Sequence, residues 1–365
     1  MSGKIIVVGG LAAGPAAASK AKRTDPTKEV IMLEKGSHIS YGICEMPYLL
    51  SGKFQDYKEL ILFNPDKFKS EKGVNVLTGH ELREIDARNR EIKVFDSAKE
   101  SCYSINYDKL ILALGSNPVK ISELPEAANI FYFKFLHDGI KLINYIKANQ
   151  PKNAVVLSSG FIGLEVAESL ASIGMSVKIF GKNDLPMEYF ETPARQRILN
   201  LLLKAGVEYI PYQDINSFSM KGNLIGALEI DKSLYESDLI ISAIGVEPNT
   251  SVLKGSGIDL GMKNGVSVDG SLRTNKSGIF ACGDCCEFSN KITLKKSVFP
   301  FANIAQKTGW IAGENAAGSP SRFTGVLPAY GLKIFNTEFS HVGLTKHDAE
   351  LLGYKTEIVS TSALD

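Results

Sequence analysis

Ile5-Ile6-Val7-Val8-Gly9-Gly10-Leu11-Ala12-Ala13-Gly14 is the stretch on which the reading of this chain turns. Its four β-branched residues predict a strand, the glycines break it, and the alanine-rich run to about Thr24 predicts a helix. A second strand is expected from Glu29 to Leu33. A strand, glycine turn, helix and strand in this order form a dinucleotide-binding unit. Glycines let the backbone turn and approach a pyrophosphate, which rests on the unpaired amides at the helix start. Gly9, Gly10, Ala12, Ala13 and Gly14 are therefore candidate cofactor contacts, with Leu11 in the usual second-glycine place. Glu34, at the end of the second strand and beside Lys35, is the acid expected to take the hydroxyls of a ribose.

The pattern returns at Ala154. A strand through Leu157 leads into Ser158-Ser159-Gly160-Phe161-Ile162-Gly163-Leu164-Glu165, a helix follows, and a strand runs from Ser176 to Phe180. Gly160, Ile162, Gly163 and Glu165 are the second set of cofactor candidates, with Ser158 replacing the first glycine. The strand ends in Gly181-Lys182, where a cation stands in place of the acid that holds a free 2′-hydroxyl. That substitution fits NADPH somewhat better than NADH, and both stay open. Two such units in 365 residues predict an α/β chain with two Rossmann-like dinucleotide-binding domains.

Working outward, further strands are expected at Ile92 to Phe95, Lys109 to Ala113 and Asp238 to Gly245, with a crossing linker around Pro118 and Pro125. From Phe323 the character changes: alternating Leu332, Ile334 and Phe335 precede a helix-like Lys346 to Leu352. The 41 basic residues nearly balance the 40 acidic ones without a run of like charge, so neither nucleic acid nor an anionic membrane is implied as a partner. The glycine-broken apolar stretch at the start reads poorly as a signal peptide, and a cytoplasmic protein is expected. Five scattered cysteines argue for thiol chemistry in a reducing compartment. Histidine spacing gives no support for a metal.

Three more segments extend the pattern: Tyr107-Asp108-Lys109-Leu110-Ile111-Leu112-Ala113-Leu114-Gly115, Asp238 to Gly245 with Pro248-Asn249-Thr250, and Gly278-Ile279-Phe280-Ala281-Cys282-Gly283-Asp284. In this order they resemble the pyridine nucleotide-disulfide oxidoreductase family, of the glutathione-reductase-like type. The resemblance implies that Asp284 binds the ribityl and pyrophosphate region of FAD, with Gly283, Ala113, Gly115 and Gly245 as further cofactor positions. It implies an FAD-binding domain in two parts, 1–117 and 244–325, an NAD(P)H-binding domain at 118–243, and an incomplete α+β dimerisation domain at 326–365. Family members run on for roughly a hundred residues more and complete a homodimer.

Ser40-Tyr41-Gly42-Ile43-Cys44-Glu45-Met46-Pro47-Tyr48 looks like the single-cysteine branch that contains coenzyme A disulfide reductases and persulfide or polysulfide reductases. Cys44 is then the catalytic thiol, expected to draw stabilising positive potential from the following helix start. By the same resemblance Lys20, Lys22 and Arg23 on the first helix, with Ser40 and Ile43 by the cysteine, are the substrate-binding positions, and Ile43 replaces a usual asparagine. Oxidases and peroxidases of the branch carry a histidine where this chain has Ala12, which steers the chemistry from peroxide to sulfur. Cys282 and Cys285, astride Gly283-Asp284, are read as packing. The expected activity is reduction of a small-molecule disulfide or persulfide by NAD(P)H through FAD and Cys44. The alternatives are an NADH oxidase or peroxidase, an electron-carrier reductase, and a truncated flavin-binding redox sensor.

Overall fold

A computed structural model describes residues 3–362. The last residues of the expected 326–365 segment, Ala363 to Asp365, lie outside the described residues. The helices are α1 (Ala13–Thr24), α2 (Met46–Leu50), α3 (Pro65–Lys72), α4 (Leu136–Asn149), α5 (Phe161–Ser172), α6 (Thr192–Lys204), α7 (Ala302–Ala316) and α8 (Lys346–Leu351). The chain divides into two compact units. The first takes residues up to Ile121, Phe131–Gln150 and Gly245–Val326; the second takes Ser122–Ile130, Pro151–Ile244 and the chain from Leu327 on.

In the first unit five parallel strands lie in the order Ile279–Ala281, Lys109–Leu112, Lys4–Val8, Glu29–Glu34, Asn75–Thr78. Val7 stands opposite Met32 on one side and Ile111 on the other. Ile6, Val7, Leu110, Ile111 and Leu112 are wholly buried, as expected of parallel strands covered on both faces. Antiparallel strands His80–Asp86, Glu91–Asp96 and Ser101–Asn106 add a meander whose Ile92 and Val94 join the same core. The stretch around Pro118, expected as a crossing linker, begins as a short strand: Ser116–Pro118 pairs antiparallel with Val246–Pro248.

Small residues hold α1 against α7. A Cβ on Gly309 would overlap the Ala13 carbonyl, and one on Gly313 the Ala17 carbonyl, so the two helix backbones lie in direct contact. Gly309→Val is therefore expected to destabilise this unit by about 1–3 kcal/mol through overpacking. Thermal unfolding monitored by circular dichroism checks it, and an unchanged midpoint would contradict the close seam.

The second unit repeats the parallel arrangement, in the order Leu239–Ser242, Asn153–Leu157, Ser176–Gly181, Glu208–Pro211. A three-stranded antiparallel sheet, Ile215–Lys221, Leu224–Ile230 and Ser233–Glu236, is attached to it in sequence. The late segment forms the hairpin Ala329–Ile334 with Thr337–Val342, then α8. Leu332 and Ile334 point into this unit's core, which explains the alternation read from the sequence, whereas Phe335 sits at the turn with φ 50°.

Candidate functional site

The first glycine turn lies between strand Lys4–Val8 and α1, at the carboxyl end of the sheet. Gly9 has φ 114°, and a side chain there would run into the Ala113 carbonyl, so only glycine fits. Gly14 packs on the Gly9 carbonyl from the first turn of α1. No side chain caps α1 at Ala12, and its first turn carries no acid, which leaves its start open to an anion. Glu34 accepts the Gly10 and Gly36 amides, each at 2.7 Å, and so holds its carboxylate over the turn. Lys35 is exposed, its ammonium 5.9 Å from the centre of the Phe135 ring. Ala113 and Gly115 follow the neighbouring strand, and the Gly115 carbonyl takes the Asn249 amide at 3.0 Å. Added Cβ atoms on Gly9, Gly10 or Gly14 would collide with neighbouring protein atoms, so the glycines keep the turn packed tightly beside the uncapped start of α1.

Asp284 stands on the same unit. Its Oδ2 takes the Ser116 hydroxyl at 2.9 Å and the Lys134 ammonium at 3.5 Å. The preceding Gly283 amide donates to the Thr308 hydroxyl of α7 at 3.1 Å. Lys134 has 9% of its surface exposed, rare for lysine, and sequence reasoning missed it. It sits just before α4, where the Asp138 carboxylate accepts the amides of Lys134 and Phe135 at 3.2 and 2.7 Å. The one available signal was Asp138, an acid placed to cap a helix start.

Cys44 is exposed, on the turn between strand Ile39–Tyr41 and α2. Bonds from the strand that leads into the turn help to hold it in place. The Ser40 amide donates to the Gly10 carbonyl at 2.9 Å, and the Leu136 amide donates to the Tyr41 hydroxyl at 3.4 Å. Ser40 has φ 49°, and its hydroxyl oxygen is buried without a hydrogen-bond partner. Ile43 is half-buried beside it. A helix start follows Cys44 as expected; α2 is five residues long, with Glu45 at its N-cap and no acid in its first turn.

Burial pushes the Tyr41 phenol up to about 12; the Leu136 amide opposes that shift, and the Glu34 and Asp138 charges add to it. A phenol raised on folding contributes stability that is complete below about pH 10 and is lost as pH rises toward about 12. Absorbance titration of tyrosinate is expected to show a late-ionising phenol in the folded chain that Tyr41→Phe removes. An unchanged titration curve would contradict the buried placement.

Lys20, Lys22 and Arg23 lie at the far end of α1. The Lys20 ammonium pairs with Glu314 at 2.6 Å, Lys22 donates to the carbonyls of Pro26 and Lys28, both at 2.8 Å, and Arg23 is exposed. Cys282, Cys285 and Cys286 are fully buried, with the Cys285 sulfur 3.3 Å from the Cys282 carbonyl oxygen. Burial raises the Cys282 thiol well above its ordinary range.

In the second unit the turn Ser158 to Gly160 precedes α5. Ser158 is not among the positive-φ positions, so this turn does not need the glycine that Gly9 supplies in the first. Its hydroxyl instead accepts the Gly160 amide at 3.2 Å. Gly163 packs on Ser158, with Ile162 and Glu165 half-buried on the first turns of α5. Gly181 lies under the Tyr209 hydroxyl, which donates to the Asn183 carbonyl at 2.6 Å. The Lys182 ammonium stands 4.1 Å from the centre of the Tyr212 ring and donates to the Gln213 carbonyl. Gly245, φ 130°, returns the chain to the first unit, its carbonyl taking the Val119 amide at 3.0 Å. Among the described residues no helix is long and apolar enough to cross a membrane, and no cluster of three or more His, Cys, Asp or Glu is placed to hold a metal ion.

Two parallel-sheet nucleotide folds, one bearing an exposed cysteine hydrogen-bonded through its turn to the first glycine loop, define the class of dinucleotide-dependent redox proteins. The chain belongs to the pyridine nucleotide-disulphide oxidoreductase family, whose sequence profile matches residues 3–309. It is 30% identical over 350 residues to an NADH oxidase of Methanocaldococcus jannaschii, covering 95% of this chain and 78% of that protein. It is 29% identical over 362 residues to coenzyme A disulfide reductase of Staphylococcus aureus, covering 99% and 81%. The solved structure of an NAD-dependent persulfide reductase from A. fulgidus superposes with a TM-score of 0.91 at 29% identity, over 96% of this chain. The chain spans 65% of that protein's length.

Proposed function

We propose that this chain is an FAD-dependent reductase that uses NAD(P)H to reduce a small disulfide or persulfide at Cys44. The observation that carries this reading is the Ser40 amide bonded to the Gly10 carbonyl, which holds the cysteine turn against the first glycine turn. In this reading segments 1–117 and 244–325 hold FAD through the first glycine turn, Glu34 and Asp284, and 118–243 takes the nicotinamide at the second turn. When bound, FAD supplies the two-electron relay between nicotinamide and sulfur. Lys134 and Ser116 neutralise and orient Asp284, so that a carboxylate can stand beside an anionic cofactor.

Cys44 is the residue that meets substrate. Its thiolate attacks one sulfur of R–S–S–R, a Cys44–S–S–R bond forms, and RS⁻ leaves. Two electrons then cleave that bond, restoring the Cys44 thiolate and releasing the second RS⁻. The balance is R–S–S–R + NAD(P)H + H⁺ → 2 RSH + NAD(P)⁺. Exposure of Cys44 suits a substrate that docks from solvent. The likeness to coenzyme A disulfide reductase and to a persulfide reductase supports sulfur as the acceptor, and Ala12 weighs against peroxide or oxygen. A reducing, cytoplasmic setting keeps Cys44 a thiol, and a homodimer is the assembly that the family implies.

The test is oxidation of NADH and of NADPH against coenzyme A disulfide, polysulfide and oxygen. Turnover with a sulfur acceptor well above that with oxygen is expected. Turnover with oxygen alone would make the chain an oxidase and end this reading.

A further inference from the structure

The hairpin Ala329–Ile334/Thr337–Val342 and α8 belong to the segment that the family resemblance assigns to dimerisation, yet within this chain they pack on the turn read as the nicotinamide site. Phe161, the first residue of α5, directly follows Gly160. Its ring stacks on Tyr189 at 5.7 Å between centroids and meets Tyr330 of the hairpin at 6.0 Å. Tyr189 and Tyr330 are 5.0 Å apart, and Tyr330 lies parallel to the His341 ring of the opposite strand at 6.3 Å. Phe190 closes the group against Phe339 and His341, each at 6.2 Å.

Two hydrogen bonds tie this cluster together, one of them to the glycine turn. The Met187 amide donates to the Ser159 carbonyl at 2.9 Å, which ties the loop bearing Tyr189 and Phe190 to the turn itself. The Lys346 amide, at the start of α8, donates to Glu191 at 2.6 Å and ties the late segment to the far end of the same loop. Loop, turn and hairpin thus form one packed body. Burial, with the neighbouring Tyr189 and Asp348, pushes the Tyr330 phenol up to about 12, so the ring stays neutral within the stack.

We propose that the late segment is a working part of the nicotinamide nucleotide site, with Tyr330 as a positioning residue that holds Phe161 and the Tyr189 loop in the shape that receives the dinucleotide. Without that brace the turn has to be ordered at each binding event, and the ordering cost appears as lost affinity. This rests on the second glycine turn being the nicotinamide site.

The experiment uses the full chain with FAD bound, and NAD⁺ and NADP⁺ as probes in calorimetric titration. Tyr330→Ala is expected to weaken dinucleotide binding roughly tenfold, as loss of a shared aromatic stack does. KM for the reduced nucleotide should rise in step while kcat at saturation holds, and Tyr330→Phe should restore both. Hydrogen exchange in residues 329–342 should slow when NAD⁺ is added to the wild-type chain, a readout that survives if Tyr330→Ala fails to fold. An unchanged dissociation constant in Tyr330→Ala, or hairpin exchange indifferent to NAD⁺, overturns the inference while leaving the site itself in place. A wild-type chain that binds neither probe overturns both.

Discussion

Cys44→Ser is expected to lose disulfide and persulfide reduction by roughly 10³-fold or more, because a serine hydroxyl neither attacks sulfur nor forms the mixed disulfide. Reduction of a dye acceptor that takes electrons without a thiol should stay near the wild-type rate, since Cys44 is exposed and its replacement opens no cavity. The pair of measurements separates two roles for the residue. Loss of sulfur reduction alone places Cys44 in the path to substrate; equal sulfur turnover in wild type and variant removes it from the mechanism and favours an electron-carrier reductase. Loss of both activities with FAD still bound would mean that the turn shapes the cofactor site instead. Alkylation of the thiol supplies an independent check, and treatment of the wild-type chain should copy the serine variant.

The second large effect concerns Asp284. Asp284→Leu strands the Lys134 ammonium, whose side chain is 11% exposed, with its carboxylate partner gone. Breaking a buried pair from one side costs about 3–5 kcal/mol, a large share of a domain's stability. The double variant Asp284→Leu with Lys134→Met removes both charges and should recover most of that loss, because two apolar side chains of similar volume tolerate burial. FAD retention should not recover, as the carboxylate is then missing altogether. Chemical unfolding of the three proteins, with FAD content measured on each, reads both quantities. A single variant that unfolds within about 1 kcal/mol of wild type would show that the Lys134–Asp284 pair is not buried as described.

Much of this architecture is legible in the chain because its signals are local. Ile5 to Gly14 and Ala154 to Gly163 each place a β-branched run, a glycine turn and a helix start within a dozen residues, and the structure has a strand, turn and helix at both places. Glu34 is readable for the same reason: it ends the strand after α1, and it bonds back to Gly10. What escaped the sequence depends on contacts between distant positions. Lys134 carries no motif, and its burial follows from Asp284, 150 residues away in the chain. The bracing of Phe161 by Tyr330 has the same origin, since two aromatic residues far apart give no periodic pattern. The helix after Cys44 is a different case. Pro47 and the apolar run after it do mark a helix, but periodicity in so short a stretch cannot give its length, and the helix stops at Leu50.

The strand order of the first unit also bears on how the chain reaches its native state. Strand Ile279–Ala281 completes a sheet whose other members all lie before residue 113, and α7, from Ala302, closes over α1. During synthesis those early strands therefore leave the ribosome with one edge unpaired and α1 uncovered, and they wait through the whole of residues 151–244 for their partners. Sheets closed by such distant pairings fold slowly, because the loop entropy is lost before the contacts reward it. For that interval the strand Lys109–Leu112 presents an unpaired edge that the native chain covers with Ile279–Ala281.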